Sequence, residues 1–193
     1  ANFTAQQGEA LVCRAYAHFM LVTFFATAST PATAANFPGV PYVKTVSRHV
    51  FGTYDRGTVA SVYANIESDL TQGMALIQDK TYGTTPKFHF TLQAAHAFAS
   101  RFYLFKRDYA KVVAHATAVF GSSAPASLLR DQTTIYTTLQ YNDIKILYNS
   151  SSNNANILLQ EVSSEYPYNY YNYRYGYGQQ LNSMLFYYDN VTD

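Results

Sequence analysis

Apolar positions in residues 87–120, KFHFTLQAAHAFASRFYLFKRDYAKVVAHATAVF, recur at spacings of three and four. Leu92, Ala95, Ala99, Phe102 and Phe105/Lys106 mark one face of a helix, and Tyr109, Val112, Val113, Ala116 and Val119/Phe120 mark a second. The polar triplet Lys106-Arg107-Asp108 interrupts both patterns and predicts a tight turn between them. Ala94, Ala95, Ala97, Ala99 and Ser100 let a partner helix approach closely, while Phe98, Phe102 and Tyr103 fill the space beside them. Upstream, residues 9–28 are apolar nearly all round, which predicts a central, buried helix. Arg14 and His18 are its polar exceptions. Since buried polar groups are normally satisfied, Arg14 is expected to pair locally and His18 to be a hydrogen-bonded core histidine.

The pattern elsewhere is less regular. Residues 1–8 form a polar lead-in. Prolines 31, 38 and 41 and glycines 39, 52 and 57 exclude a continuous helix over 29–57. Thr58 is a plausible cap for a helix over 59–77, with Val59, Val62/Tyr63, Ile66, Leu70 and Met74/Ile77 inward and Ser61, Asn65, Ser68 and Gln72 outward. After Phe120, Gly121 to Ala126 is a break, 127–138 is ambiguous, and 141–148 predicts a short helix presenting Ile144 and Leu147/Tyr148. Residues 149–156 read as a polar linker and 157–162 (ILLQEV) as a short buried strand. The 92–120 pair has the logic of a tetratricopeptide unit. Ser100, Tyr103 and Asp108-Tyr109 occupy its expected positions, whereas Val112 and Ala116 replace its usual alanine and large aromatic.

Composition excludes more than it selects. Thirteen Lys and Arg against twelve Asp and Glu leave a net charge of +1 with no basic stripe, which argues against phosphate-backbone binding. The single cysteine, Cys13, permits no internal disulfide, and its place in an apolar helix predicts a buried, inert thiol. Ala10-Leu11-Val12-Cys13 does not read as a lipoprotein processing site, since Val12 is too large for the position before the cysteine and no basic start or apolar signal core is read before it. The longest apolar run, 19–28, is too short to span a bilayer, so the chain as given is expected to be soluble. No nucleophile motif, phosphate loop or metal spacing occurs. His89, His96 and His115 are scattered without carboxylate or thiol partners, and Glu161 and Glu165 do not read as a glycosidase pair. No catalytic residue, metal or cofactor is expected.

The unusual composition is aromatic: 17% of residues, with 19 tyrosines and no tryptophan. Seven tyrosines crowd EYPYNYYNYRYGY, residues 165–177. In an extended backbone Tyr171, Tyr173, Tyr175 and Tyr177 share one face. Tyr166, Tyr168, Tyr171, Asn172, Tyr173, Arg174, Tyr175 and Tyr177 are therefore the candidate ligand-binding residues. Rings stack on the apolar faces of pyranoses while amide and guanidinium groups bond the hydroxyls. The alternatives are a low-complexity loop that covers neighbouring structure, or a self-association surface.

Five blocks in order resemble the SusD/RagB family of outer-membrane nutrient-binding lipoproteins. They are Gly8-Glu9-Ala10 through Arg14-Ala15-Tyr16-Ala17-His18-Phe19; Gly39-Val40-Pro41-Tyr42; Arg56 with Val62-Tyr63, Ile66 and Asp69-Leu70; Ala94-Ala95, Ala99, Arg101, Tyr103-Leu104 and Asp108-Tyr109; and residues 154–161. The resemblance implies a mainly α fold of irregular tetratricopeptide-like helix pairs with long loops and a few short strands. It implies one SusD-like N-terminal region over 1–193, with a helical core at 8–121 and a loop-rich, tyrosine-rich part at 122–193, belonging to a longer protein. It implies, too, non-catalytic capture of oligosaccharide, or in some members peptide, for a SusC-like TonB-dependent transporter at the cell surface. An N-terminal lipid anchor outside this chain would hold such a protein there. A structural lid on the transporter is a further alternative, and a hydrolase the remotest. The matched helices carry scaffold residues, so no ligand residue transfers by motif.

Overall fold

The computed structural model describes residues 3–48, 52–122, 126–130 and 133–160. Among these residues lie five α-helices: α1 (Thr4–Phe25), α2 (Val59–Leu76), α3 (Leu92–Lys106), α4 (Tyr109–Phe120) and α5 (Tyr141–Tyr148). The fold is mainly α, as the resemblance implies. Among the described residues an isolated antiparallel bridge, Pro38 to Thr58, stands in place of short strands.

The first helix pair is α1 on α2, antiparallel. It starts earlier than its apolar pattern, at Thr4, and takes in most of the polar lead-in. Gly8 is the reason this end can dock. A Cβ on Gly8 would meet the Gly73 carbonyl oxygen and the Leu76 Cβ, both at 2.8 Å, and one on Gly73 would meet the Gly8 oxygen at 2.7 Å. Two facing glycines let the backbones cross in contact. Thr58 caps α2 as expected, through a reciprocal box in which its hydroxyl accepts from Ser61 N–H (3.1 Å) and its own N–H donates to Ser61 Oγ (3.0 Å).

The second pair is α3 on α4, joined at Arg107. The Arg107 N–H reaches the Leu104 carbonyl (3.1 Å) and the Asp108 N–H reaches that of Tyr103 (3.0 Å). This double bond pattern is the glycine-favouring helix stop, yet arginine holds the left-handed position, at φ 62°. A side chain there costs roughly 1–2 kcal/mol. Asp108 then caps α4 by accepting from the Lys111 N–H.

An aromatic seam joins the pairs. Phe19 of α1 meets Phe98 (centroids 5.6 Å), Phe102 (6.2 Å) and Phe105 (5.1 Å) of α3, and Tyr16 meets Phe98 edge-on at 5.2 Å. Phe19, Phe102, Ile66, Leu70, Val12 and Val62 are the largest fully buried side chains. Rotation of α3 differs from its simplest reading: Ala94, Ala95, Phe98, Ala99, Phe102 and Tyr103 are buried, while Leu92 and Phe105 are exposed. On α4 only Val119 is buried, and Tyr109, Val113 and Phe120 face outward because no described element covers them.

Several expectations need correction. Cys13 is exposed, because Val12, Ala15 and Phe19 hold the inward face of α1 and position 13 turns away. Partial burial and then the nearby Glu9 charge push its thiol up, which disfavours the thiolate. Residues 149–156 are a folded turn rather than a linker. Asn156 is buried and donates to the Tyr148 and Ser150 carbonyls (both 2.8 Å) while accepting from Arg130. Residues 157–160 form no strand. Ile157 and Leu158 pack on the core and Leu159 N–H bonds the Lys87 carbonyl (2.7 Å), without the ladder that would define one.

Candidate ligand-binding site

The polar groups that the sequence singles out on α1 belong to the scaffold. Arg14 pairs with Asp69 of α2 rather than locally: Nε and Nη2 donate to its two carboxylate oxygens at 2.6 and 2.8 Å, and Nη1 donates to the Lys44 carbonyl at 3.1 Å. Tyr42 donates its hydroxyl to the same carboxylate at 2.7 Å and stacks on His18 with centroids 4.0 Å apart. His18 is the bonded core histidine expected. Its Nε2 accepts from Val43 N–H (3.2 Å), which leaves Nδ1 to donate to the Arg14 carbonyl (2.9 Å). Burial raises the Asp69 pKa, but the Arg14 and Tyr42 hydrogen bonds outweigh it and hold the carboxyl below its ordinary range. Burial and the same carboxylate push the Tyr42 hydroxyl far above its ordinary range. Nothing in the group is poised to transfer a proton. It pins the 39–44 turn to both helices.

A second polar hub lies at Glu67. It accepts from Tyr103 Oη (3.0 Å), from Lys111 Nζ (2.7 Å) and from Lys106 Nζ. The Lys111 ammonium also sits over the Tyr103 ring, 4.6 Å from its centroid. Burial pushes the Glu67 carboxyl up, yet the three donors together bring it down to about 2. Hydrogen bonding to Glu67 holds the Lys111 ammonium well above its ordinary range. The hub ties α2 to the α3–α4 turn.

Beside this hub the surface is concave. Two hollows lie side by side and share Ser29, Val59, Tyr63 and Phe105. The smaller, about 170 Å³, runs toward Pro31, Glu67 and Lys106. The larger, about 400 Å³, runs toward Thr23, Thr27 and Arg107. A third, about 400 Å³, lies beyond Glu67 against Met74, Tyr103, Lys111 and His115. One face of Tyr63 covers Phe102 (5.6 Å), and Phe105 is 43% exposed with its ring edge-on to Phe19. Burial pushes the Tyr63 hydroxyl up, so it stays protonated and able to donate. Individually these volumes sit at or below the lower end of enclosed small-molecule sites, roughly 300–1,000 Å³. Rings, hydroxyls and cations along an open trench suit shallow binding of ring-shaped polar groups.

The tyrosine-rich candidates Tyr166, Tyr168, Tyr171, Asn172, Tyr173, Arg174, Tyr175 and Tyr177 lie outside the described residues, as do Glu161 and Glu165. The three histidines are less scattered than their spacing implies. His89 bonds Glu9 (2.9 Å) and stacks on Tyr82, whereas His96 and His115 share a hydrogen bond across α3 and α4, Nδ1 to Nδ1 at 2.8 Å. Among the described residues no three His, Cys, Asp or Glu side chains are grouped to hold a metal, and no helix is long and apolar enough to cross a membrane. Sequence reading placed Tyr63 and Phe105 on inward stripes and missed that they wall a hollow. Arg107 was the available signal, a tight helix–helix turn built without glycine.

Comparison with known proteins bears on the same part of the chain. The family model of SusD-like proteins, described as starch-binding and associating with the outer membrane, matches residues 1–104. A SusD superfamily protein of Bacteroides thetaiotaomicron VPI-5482 is similar at 28% identity and TM-score 0.53, over 62% of this chain and 25% of that one. A SusD-like carbohydrate-binding protein of Bacteroides vulgatus ATCC 8482 shares the fold at 19% identity and TM-score 0.55, over 80% of this chain and 30% of that one. This chain thus spans less than a third of the length of either structure. No curated protein matches it. On that match, which takes in α1, α2 and nearly all of α3, the chain belongs to the SusD-like family.

Proposed function

We propose that the chain is part of a non-catalytic, cell-surface protein that binds oligosaccharide and passes it to a SusC-like TonB-dependent transporter. The observation that carries this reading is the match of residues 1–104 to a family described as starch-binding and outer-membrane-associated. The shallow trench beside Tyr63 and Phe105 supplies ring surface and hydroxyls on which a sugar could stack and bond. The segment holding Tyr166, Tyr168, Tyr171, Asn172, Tyr173, Arg174, Tyr175 and Tyr177 is the second proposed ligand surface, on its chemistry alone. A lipid anchor on the longer protein would hold both at the outer membrane.

Titration calorimetry against plant, host and microbial oligosaccharides tests the reading. Saturable binding by one class is expected at about 10⁻³ to 10⁻⁶ M, the range for a few stacked rings. Changing Tyr171, Tyr173 and Tyr175 together to alanine is expected to weaken it at least tenfold, roughly 1.4 kcal/mol. Silence across the panel from folded protein rejects the reading, and binding untouched by the triple change rejects the segment's part in it.

A further inference from the structure

The α3–α4 turn holds an arginine where the backbone favours glycine, and that arginine borders a hollow. We infer that Arg107 is the anion-recognising residue of a subsite for acidic sugars, formed with Tyr63 and Phe105. The inference rests on the glycan-binding reading and names the class of glycan.

Three observations converge. Arg107 is the one non-glycine residue with positive φ among the described residues, at 62°. Left-handed side chains of this kind persist only where the surroundings enforce them, and they gather at functional sites. The local bonds enforce the backbone here, as the paired contacts to Leu104 and Tyr103 show. They fix where the side chain leaves the turn, beside the hollow of about 400 Å³.

Its charge is also unspent. Among the described residues the Arg107 guanidinium makes no hydrogen bond, ion pair or ring contact. The carboxylates of the adjoining hub and turn are committed elsewhere. Glu67 is held by Tyr103, Lys106 and Lys111, and Asp108 caps α4 and pairs with Lys111 at 3.6 Å. Lys106, Arg107 and Lys111 against Glu67 and Asp108 leave one net positive charge at this end of the trench, and the free cation is Arg107. A guanidinium presents two parallel N–H donors to a carboxylate or sulfate, a fork that a neutral sugar hydroxyl cannot use fully.

The rest of the hollow matches the ring that would carry the anion. Tyr63 and Phe105 supply apolar ring surface, and Thr27 and Ser29 supply hydroxyls. Stacking on a pyranose face with its carboxylate or sulfate at Arg107 uses both halves of the site.

The test is calorimetry on the 193-residue chain with three trisaccharide probes: trigalacturonic acid, its carboxyl-reduced neutral counterpart, and a sulfated galactose trimer. The acidic trimer is expected to bind about tenfold tighter than the neutral one, with a preference that shrinks as salt rises. Arg107→Gly should abolish that preference while the midpoint of thermal unfolding holds or rises, since glycine suits the left-handed turn. Lost preference with a folded chain therefore cannot be a folding defect. Arg107→Lys keeps the charge but loses the fork, and should retain only part of the preference. The carboxylate and sulfate probes separate the two anion types, and tight binding of either supports the inference. Equal binding of acidic and neutral trimers, or a preference that survives Arg107→Gly, overturns it while leaving glycan binding intact. Failure of all probes and of the wider oligosaccharide panel overturns both.

Discussion

Arg14 and Asp69 lie 55 positions apart and close on each other through two hydrogen bonds, at 2.6 and 2.8 Å, across the α1–α2 interface. The Asp69 side chain is only 6% exposed and that of Arg14 27%. Tyr42 adds a third hydrogen bond to the same carboxylate. One carboxylate thereby holds two helices and the turn before α2.

Asp69→Ala is expected to destabilise the chain by about 2–4 kcal/mol, because it strands a guanidinium and a hydroxyl beside the core. Partial solvation of Arg14 keeps the loss below that of a fully buried pair. Urea denaturation would measure it. Arg14→Met with Asp69→Leu should recover most of the loss, since an apolar pair avoids the stranded charge. A single alanine that costs nothing would mean the network is ornamental to the fold.

Gly73→Ala should lower stability even though alanine favours a helix by about 1 kcal/mol over glycine. The added methyl would sit 2.7 Å from the Gly8 carbonyl oxygen and 2.8 Å from Val12 Cγ2. Neither the backbone nor the packed valine can yield cheaply, and the net expected cost is about 1–3 kcal/mol. Thermal unfolding of this variant checks it. A raised midpoint would show that the two helices stand further apart than described.

Two steps are expected in the acid unfolding profile. Burial lowers the His96 pKa; burial, and then the charges of His96 and Lys111, lower that of His115. Their unfolded forms therefore take up protons first, so stability present above 6.5 is lost as pH falls below that ordinary value. Glu67 gives the second step. Its pKa drops from 4.5 to about 2, so its contribution is complete above 4.5 and vanishes as pH falls through about 2. For this partly solvated group about 1–2 kcal/mol is expected. Unfolding free energy from pH 7.5 to 2 would resolve both steps. His115→Phe should shrink the first step and leave the share of His96. Glu67→Gln should shrink the second and leave the share of Asp69, whose carboxyl is also held below its ordinary range.

Much of this architecture is local and was therefore legible in residue order. The three-and-four spacing of 92–120 marked two helices, the Lys106-Arg107-Asp108 triplet marked their turn, and Thr58 marked the start of α2, all as the structure has them. Each depends on neighbours within a turn or two, so the chain carries the information by itself. The ordered blocks from Gly8 onward likewise pointed to the family. What the tertiary structure decided depends on helix rotation and on contact between distant segments. That set includes the partner of Arg14, the glycine-to-glycine crossing of Gly8 and Gly73, the joining of His96 to His115, and the exposure of Cys13. Tyr63 and Phe105 belong there too: on periodicity both are core residues, and only the docking of α3 beside α2 turns them into the wall of a hollow. A helical pattern states which face is apolar. It does not state how far along, or at what rotation, another helix will meet it.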